Sequence, residues 1–259
     1  MQTSRELIQS LSDEELAMLL STLSDEEATA LLYDWSLWAR PQQLPPAGDW
    51  NTWLILAGRG FGKTRTGAEW VRMMAETSPN ARIALLAPTA ADTRDTMVLG
   101  ESGLLNIYPP SQQPIYESSK RRITFHNGAI ATLYSADEPE RLRGPQHTHL
   151  WADELCSYRR PEAWDMAMFG LRLGDHPRAI ITTTPKPMPL LKSIMHDPST
   201  VITRGSTFDN AANLAKNFID QIKKKYEGTR LGRQELNAEV LEDIQGALWN
   251  RSAIMYRMP

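Results

Sequence analysis

Cysteine is almost missing from this 259-residue chain: Cys156 stands alone, so no intrachain disulfide can form, and a reducing compartment suits it. No stretch approaches the roughly 20 consecutive apolar residues that a membrane-crossing helix needs. The amino-terminal MQTSRELIQS has no basic patch ahead of an apolar core, so no secretory leader is read and the chain is expected to stay where it is made. Positive charge is not in excess either. A formal net charge of −3 gives no global pull on nucleic acid, so any contact with a polyanion needs a local basic surface or a partner. What remains, 41% hydrophobic and 23% charged residues, is the composition of an ordinary globular protein. The length suits one large α/β core, alone or with a small satellite.

The first 40 residues say the same short phrase twice, Leu11-Ser12-Asp13-Glu14-Glu15 and Leu23-Ser24-Asp25-Glu26-Glu27. Each is a capping box: the serine accepts from a backbone N–H three residues on, the glutamate reaches back, and the acidic first turn suits the helix dipole. Two helices follow, with Leu16, Leu19, Leu20 and Leu23, then Leu31, Leu32, Trp35 and Trp38, at helical spacing. Their apolar faces are expected against the main domain or a neighbour. The proline-rich RPQQLPPAGD, Arg40 to Asp49, reads as an extended connector.

Beyond it, short apolar runs alternate with helical stretches. Trp53–Ala57, Ile83–Ala87, His149–Ala152, Ala179–Thr183 and Val201–Arg204 read as strands, with helices at Thr64–Glu76 and about Ala90–Leu99. His126-Asn127-Gly128 predicts a hairpin turn between Ile123–Phe125 and Ala129–Tyr134. Such alternation predicts a mostly parallel sheet covered on both faces. From Phe208 the tail reads as a helical lid: Leu214, Phe218, Ile222 and Tyr226 share a face, Gly228 stops the helix, and a second helix includes Leu236 and Val240. The expected division is 1–40 helices, 41–206 core, 207–245 lid and 246–259 the start of a linker.

Ala57-Gly58-Arg59-Gly60-Phe61-Gly62-Lys63-Thr64 follows a strand and opens a helix, the setting of a phosphate-binding loop. Gly58, Gly60 and Gly62 let backbone N–H groups turn toward phosphates at a helix amino end. Lys63 is read on the β and γ phosphates of ATP, and the Thr64 hydroxyl on Mg2+. Ala57 stands where the usual pattern has glycine. Phe61 and Arg65 complete the set read as touching nucleotide. The run His149-Leu150-Trp151-Ala152-Asp153-Glu154 offers Asp153 for the metal and Glu154 as the base that polarises the attacking water. A nuclease pair would need further acids, and Glu162 and Asp165 have no strand-end placement. Arg59, in the loop, and Arg143 or Arg141, in ERLRGPQ, are the candidates to neutralise developing charge. Lys223-Lys224-Lys225 reads as a solvated helix face.

RPQQLPP, AGRGFGKT, LLAPTAADTRDTM, the RLRG turn, LWADE and TTTPKP, in that order, resemble the ATPase domain of the large terminase subunit of tailed double-stranded DNA bacteriophages. The resemblance implies a P-loop NTPase of the additional-strand, catalytic-glutamate type. It makes Gln43, with Gln42 as rival, the reader of the adenine edge, Arg59 the in-loop arginine, and Arg143 the arginine presented to an adjacent subunit's nucleotide. Thr182, Thr183 and Thr184 become the motif coupling loss of the γ phosphate to the lid. It also implies a ring homo-oligomer, a pentamer on the portal, with double-stranded DNA, portal protein and small terminase subunit as partners in the host cytoplasm, and no membrane. Family members continue after the equivalent of Trp249 into a nuclease domain, so no DNA cleavage is expected from these residues. A helicase-like translocase and a nucleotide-gated ring-assembly protein are the competing readings.

Overall fold

The computed structural model describes residues 10–241. Eight strands form one sheet in the order β3-β4-β5-β2-β6-β7-β1-β8. They are β1 (Thr52–Ala57), β2 (Arg82–Ala87), β3 (Ile115–Glu117), β4 (Arg122–Thr124), β5 (Ile130–Ser135), β6 (His149–Asp153), β7 (Arg178–Thr183) and β8 (Thr200–Gly205). Six run parallel, from β5 across to β8, while β3 and β4 are antiparallel at one edge. The expected hairpin is present: Gly128 adopts φ +92° at the turn and Asn127 Oδ1 accepts from Ala129 N at 3.1 Å.

Apolar runs such as TWLILA and RIALLA bury both faces because helices cover both. The two-residue period of a strand sorts them. Trp53, Ile55, Ile83, Leu85 and Trp151 face one core, with Ala68, Val71 and Ala75 of the helix Lys63–Thr77. Leu54, Leu56, Ala84, Leu86 and Leu150 face the other, with Trp164 and Ala167 of Glu162–Gly170 and Leu191 and Ile194 of Pro189–His196. Helices are named α1 (Asp13–Thr22), α2 (Asp25–Leu32), α3 (Trp35–Trp38), α4 (Lys63–Thr77), α5 (Ala90–Asp92), α6 (Glu162–Gly170), α7 (Pro189–His196), α8 (Lys216–Tyr226) and α9 (Arg230–Glu235). Among the described residues no helix is long and apolar enough to cross a membrane.

Both amino-terminal capping boxes form, Ser12 with Glu15 and Ser24 with Glu27. The apolar faces behind them are only partly covered: Leu37 is buried, whereas Leu20, Leu32 and Trp38 are exposed.

Four local expectations change. Strand β3 was not legible in three residues, IYE, whose only signal is pairing with β4. The stretch after β2 is α-helical only over α5 and then widens to a π turn over Thr93–Val98, with Leu99 N reaching Arg94 O at 2.9 Å. Buried Thr93 donates its hydroxyl to Tyr134 O at 2.7 Å, tying this turn to β5. The proline-rich connector contains a 3-10 turn, Pro41–Gln43, because the Gln43 side chain accepts from Arg40 N at 3.2 Å. Helix α9 stops at Glu235, since Ala238 adopts φ +54°, and Val240 packs against the second core rather than within the lid.

Candidate functional site

The loop between β1 and α4 takes its shape from glycine. Gly62, the residue before α4, sits at φ +99° and Gly60 at φ +75°, backbone geometry that a side chain strains. A Cβ on Gly58 would lie 2.3 Å from Leu236 O. The loop thus delivers backbone to the amino end of a 15-residue helix, whose dipole favours anions. Phe61 is fully buried beneath it.

Strand order brings the other groups alongside. Since β7 pairs with both β1 and β6, the ends of all three meet. Lys63, 8% exposed, donates from Nζ to Thr184 Oγ1 at 2.9 Å and to Ala57 O at 3.1 Å. Its ammonium lies 3.6 Å from Glu154 Oε1. Trp151 Nε1 donates to Thr182 Oγ1 at 2.8 Å, and that hydroxyl donates to Asp153 Oδ1 at 2.6 Å. Thr183 Oγ1 accepts from Cys156 N at 3.1 Å. Lys63, Asp153, Glu154 and the three threonines therefore form one connected cluster.

Two features of this cluster are energetically costly. Glu154 has φ +48°, a left-handed conformation unfavourable for a residue with a side chain, held by its N–H donating to Thr182 O at 2.6 Å. Asp153 is buried, and burial with the neighbouring Glu154 charge pushes its carboxyl up to about 7, against the Thr182 hydroxyl and Lys63, which pull it down. A buried carboxylate next to a second carboxylate, with a threonine, Thr64, following Lys63 in the chain, supplies hard oxygen donors of the type magnesium takes. The glycine cradle and the Lys63 ammonium fit a phosphate chain. The residues present therefore fit ATP and Mg2+.

The remaining sequence candidates are spread around this cluster. Gln43 is buried against the loop, its Nε2 donating to Thr66 Oγ1 at 3.0 Å, while Gln42 is exposed. Arg65 pairs with Glu69 at 2.7 Å and lies over Trp35. Arg59 points outward to Glu235 at 2.8 Å. Arg143, 64% exposed, pairs with Glu140 at 2.8 Å and does not touch the cluster. Glu162 and Asp165 lie in α6, away from any strand end.

Three residues at the loop were not singled out from sequence. Arg40 donates to Phe61 O and to Asn210 Oδ1 and stacks on the Phe61 ring, Asn210 Nδ2 donates to Gly60 O at 2.7 Å, and Glu235 holds Arg59. Only Arg40 lies within a recognised motif. Asn210 and Glu235 are 150 and 176 residues from their partners in the chain, and no local pattern marks them.

Comparison with known proteins agrees with this architecture. A family model described as "Terminase large subunit, T4likevirus-type, N-terminal" matches residues 54–255. No curated protein matches the chain. Among solved structures, the large terminase ATPase domain of Thermus phage P74-26 superposes with a TM-score of 0.58 at 14% identity, covering 89% of this chain and 98% of that one. The large terminase of the thermophilic bacteriophage D6E gives 0.63 at 13% identity, covering 86% of this chain and 56% of that one. That of bacteriophage HK97 gives 0.59 at 17%, covering 75% and 47%. The D6E protein has also been solved with ADP and with ATP-gamma-S. At these identities the likeness is one of fold, and this chain spans about half the length of the D6E and HK97 terminases. The match over most of the chain decides the family: this protein belongs to the terminase large subunits of the T4likevirus type, represented by their N-terminal part.

Proposed function

We propose that this chain is the ATP-hydrolysing motor part of a large terminase, turning hydrolysis into translocation of double-stranded viral DNA into a procapsid. The observation that carries the reading is the convergence of Lys63, Glu154 and Thr184 at the ends of β1, β6 and β7, with Lys63 Nζ 2.9 Å from the threonine and 3.6 Å from the glutamate. The nucleotide complexes of the D6E relative support the same ligand.

In this reading the loop of Gly58, Gly60, Phe61 and Gly62 wraps the phosphates, and Lys63 neutralises the β and γ groups. Thr64 and Asp153 hold Mg2+, which when bound supplies charge neutralisation on the phosphates. Glu154 orients a water in line with the γ phosphorus and takes its proton. A water oxygen bonds to phosphorus, the bond to the β–γ bridging oxygen breaks, and ADP leaves with the electron pair. Arg59 in the same chain and Arg143 from an adjacent copy stabilise the charge on the transferring group. Gln43 reads the adenine edge and Arg65 flanks the loop. Thr182, hydrogen-bonded to Asp153, and Thr184, hydrogen-bonded to Lys63, act with Thr183 between them to pass the change at the γ position onward.

The wider organisation belongs to the same proposal. The division proposed is 1–40 for the amino-terminal helices, 41–206 for the core, 207–245 for the lid and 246–259 for the start of a linker to a nuclease domain, of which 1–9 and 242–259 lie outside the described residues. The working form is a pentameric ring on the portal in the host cytoplasm, supplied with DNA by the small subunit.

The test is steady-state ATP hydrolysis against protein concentration for the unaltered chain, Arg143→Ala and Glu154→Gln. Activity rising faster than linearly, loss in both variants and recovery on mixing them are expected, because each supplies what the other lacks. Linear activity with Arg143→Ala unaffected rejects the shared site.

A further inference from the structure

The antiparallel edge of the sheet carries a group of basic side chains that do not touch the cluster around Lys63. Lys120, Arg121 and Arg122 lead into β4, and Arg141 follows β5. The backbone joins them, since Arg121 O accepts from Leu133 N at 2.9 Å and Glu138 N donates to Ser135 O at 3.1 Å. Four cations here share two carboxylates. Lys120 and Arg122 pair with Glu117 at 2.5 and 2.9 Å, and Arg121 and Arg141 pair with Glu138 at 3.0 and 2.9 Å. Asp137 and Glu140 lie in the same turn, the latter paired with Arg143, so segments 117–122 and 137–143 together carry five basic and four acidic side chains, a slight positive balance in a chain whose net charge is −3.

These pairs are exposed, with Lys120 58% and Arg141 59% accessible, and exposed ion pairs hold their partners weakly. A phosphate can displace a shared carboxylate at little cost. Arg121 is also one of three described non-glycine residues at positive φ, +50°, a strained conformation that sets it between Lys120 and Arg122. The parallel strand β5 ends beside this cluster just as β1 and β6 end at the nucleotide loop, so both lie at the carboxyl edge of the sheet, where open α/β sheets bind ligands.

We propose that Lys120, Arg121, Arg122 and Arg141 form a docking surface for the phosphate backbone of double-helical DNA. The inference rests on the DNA-motor reading above and adds the surface through which this chain touches its track. Flexible cations contacting phosphates hold a duplex regardless of its sequence, as a translocating protein requires.

The experiment is fluorescence anisotropy of a labelled mixed-sequence duplex titrated with the full chain over a range of KCl concentrations. The unaltered chain is compared with the double variant Lys120→Ala and Arg141→Ala. Each removed cation leaves its carboxylate with the other partner, Arg122 or Arg121, so no orphaned charge is created. Affinity is expected to fall about tenfold at low salt, and the slope of log affinity against log salt to shrink by about 2, while the melting temperature stays unchanged. If the alanine pair melts early, Lys120→Gln with Arg141→Gln keeps the stems and removes only the charge, with the same expectation. Equal affinity and slope in variant and unaltered chain overturn the surface and leave the motor reading standing. Equal preference for a single-stranded oligonucleotide overturns the assignment to duplex. Failure of the unaltered chain to bind any duplex while it hydrolyses ATP overturns the DNA-motor reading and this inference together.

Discussion

Replacing Thr182 with valine isolates the polar chain under the candidate site. Valine keeps the shape of threonine but can neither accept from Trp151 Nε1, now at 2.8 Å, nor donate to Asp153 Oδ1, now at 2.6 Å. All three side chains are buried, so water cannot replace the lost partners. A buried indole N–H without an acceptor costs about 1–3 kcal/mol, and a carboxylate losing a donor about 1.5–3 kcal/mol. Taking a proton would relieve part of the second loss, so the expected destabilisation is about 2–5 kcal/mol. Thr182→Ser is the control: it retains both hydrogen bonds and gives up one methyl group, about 1 kcal/mol. Urea unfolding at neutral pH, extrapolated linearly to water, measures both. The valine variant is expected to be less stable than the serine variant by at least about 1 kcal/mol. Equal stability, or a valine variant above serine, refutes the claim that Trp151, Thr182 and Asp153 act as one satisfied chain.

Gly67→Ala is expected to loosen the seat of α4 on the sheet, because the added Cβ falls 2.1 Å from Trp151 Cε2; a loss of about 1–3 kcal/mol in the same unfolding assay, with lowered ATP turnover, is the expected result. Stability should also depend on acid through His147 and His149, both held down to about 4 by burial, with Arg178 adding to the effect at His149. Above about pH 6.5 neither the folded nor the unfolded chain protonates them, and they are silent. Between about 6.5 and 4 the unfolded chain binds protons that the folded chain refuses, so stability falls with falling pH and levels off below. His147, 3% exposed, accounts for about 3 kcal/mol of that fall, and a denaturation series on His147→Asn should show its share missing.

The sequence by itself determined those features that depend on neighbours along the chain. Apolar runs of strand length, the Asn127-Gly128 turn, both serine capping boxes and the loop from Gly58 to Thr64 are short-range patterns, and each appears where the residues predict it. Boundaries set by long-range contact were not legible. Strand β3 exists because β4 offers it partners, the π turn after α5 because Thr93 reaches β5, and α9 ends early because Val240 joins a core built by other segments.

At the site the division is the same. Residue types and order singled out Lys63, Asp153, Glu154 and the three threonines as candidates, and the structure brings them together, but the sequence did not show that Thr182 would bond Asp153 and Thr184 would bond Lys63. Those bonds follow from strand order, because β7 lies between β1 and β6, which local periodicity does not encode. Arg40, Asn210 and Glu235 come to the loop before α4 only when the connector and the carboxyl-terminal segments pack on it, and nothing in the neighbourhoods of Asn210 and Glu235 distinguishes them from solvated polar residues. The candidate groups were legible because the proposed chemistry needs particular residues at particular spacings. The setting of that chemistry was decided by the tertiary structure, because burial and long-range pairing arise only once the sheet has assembled.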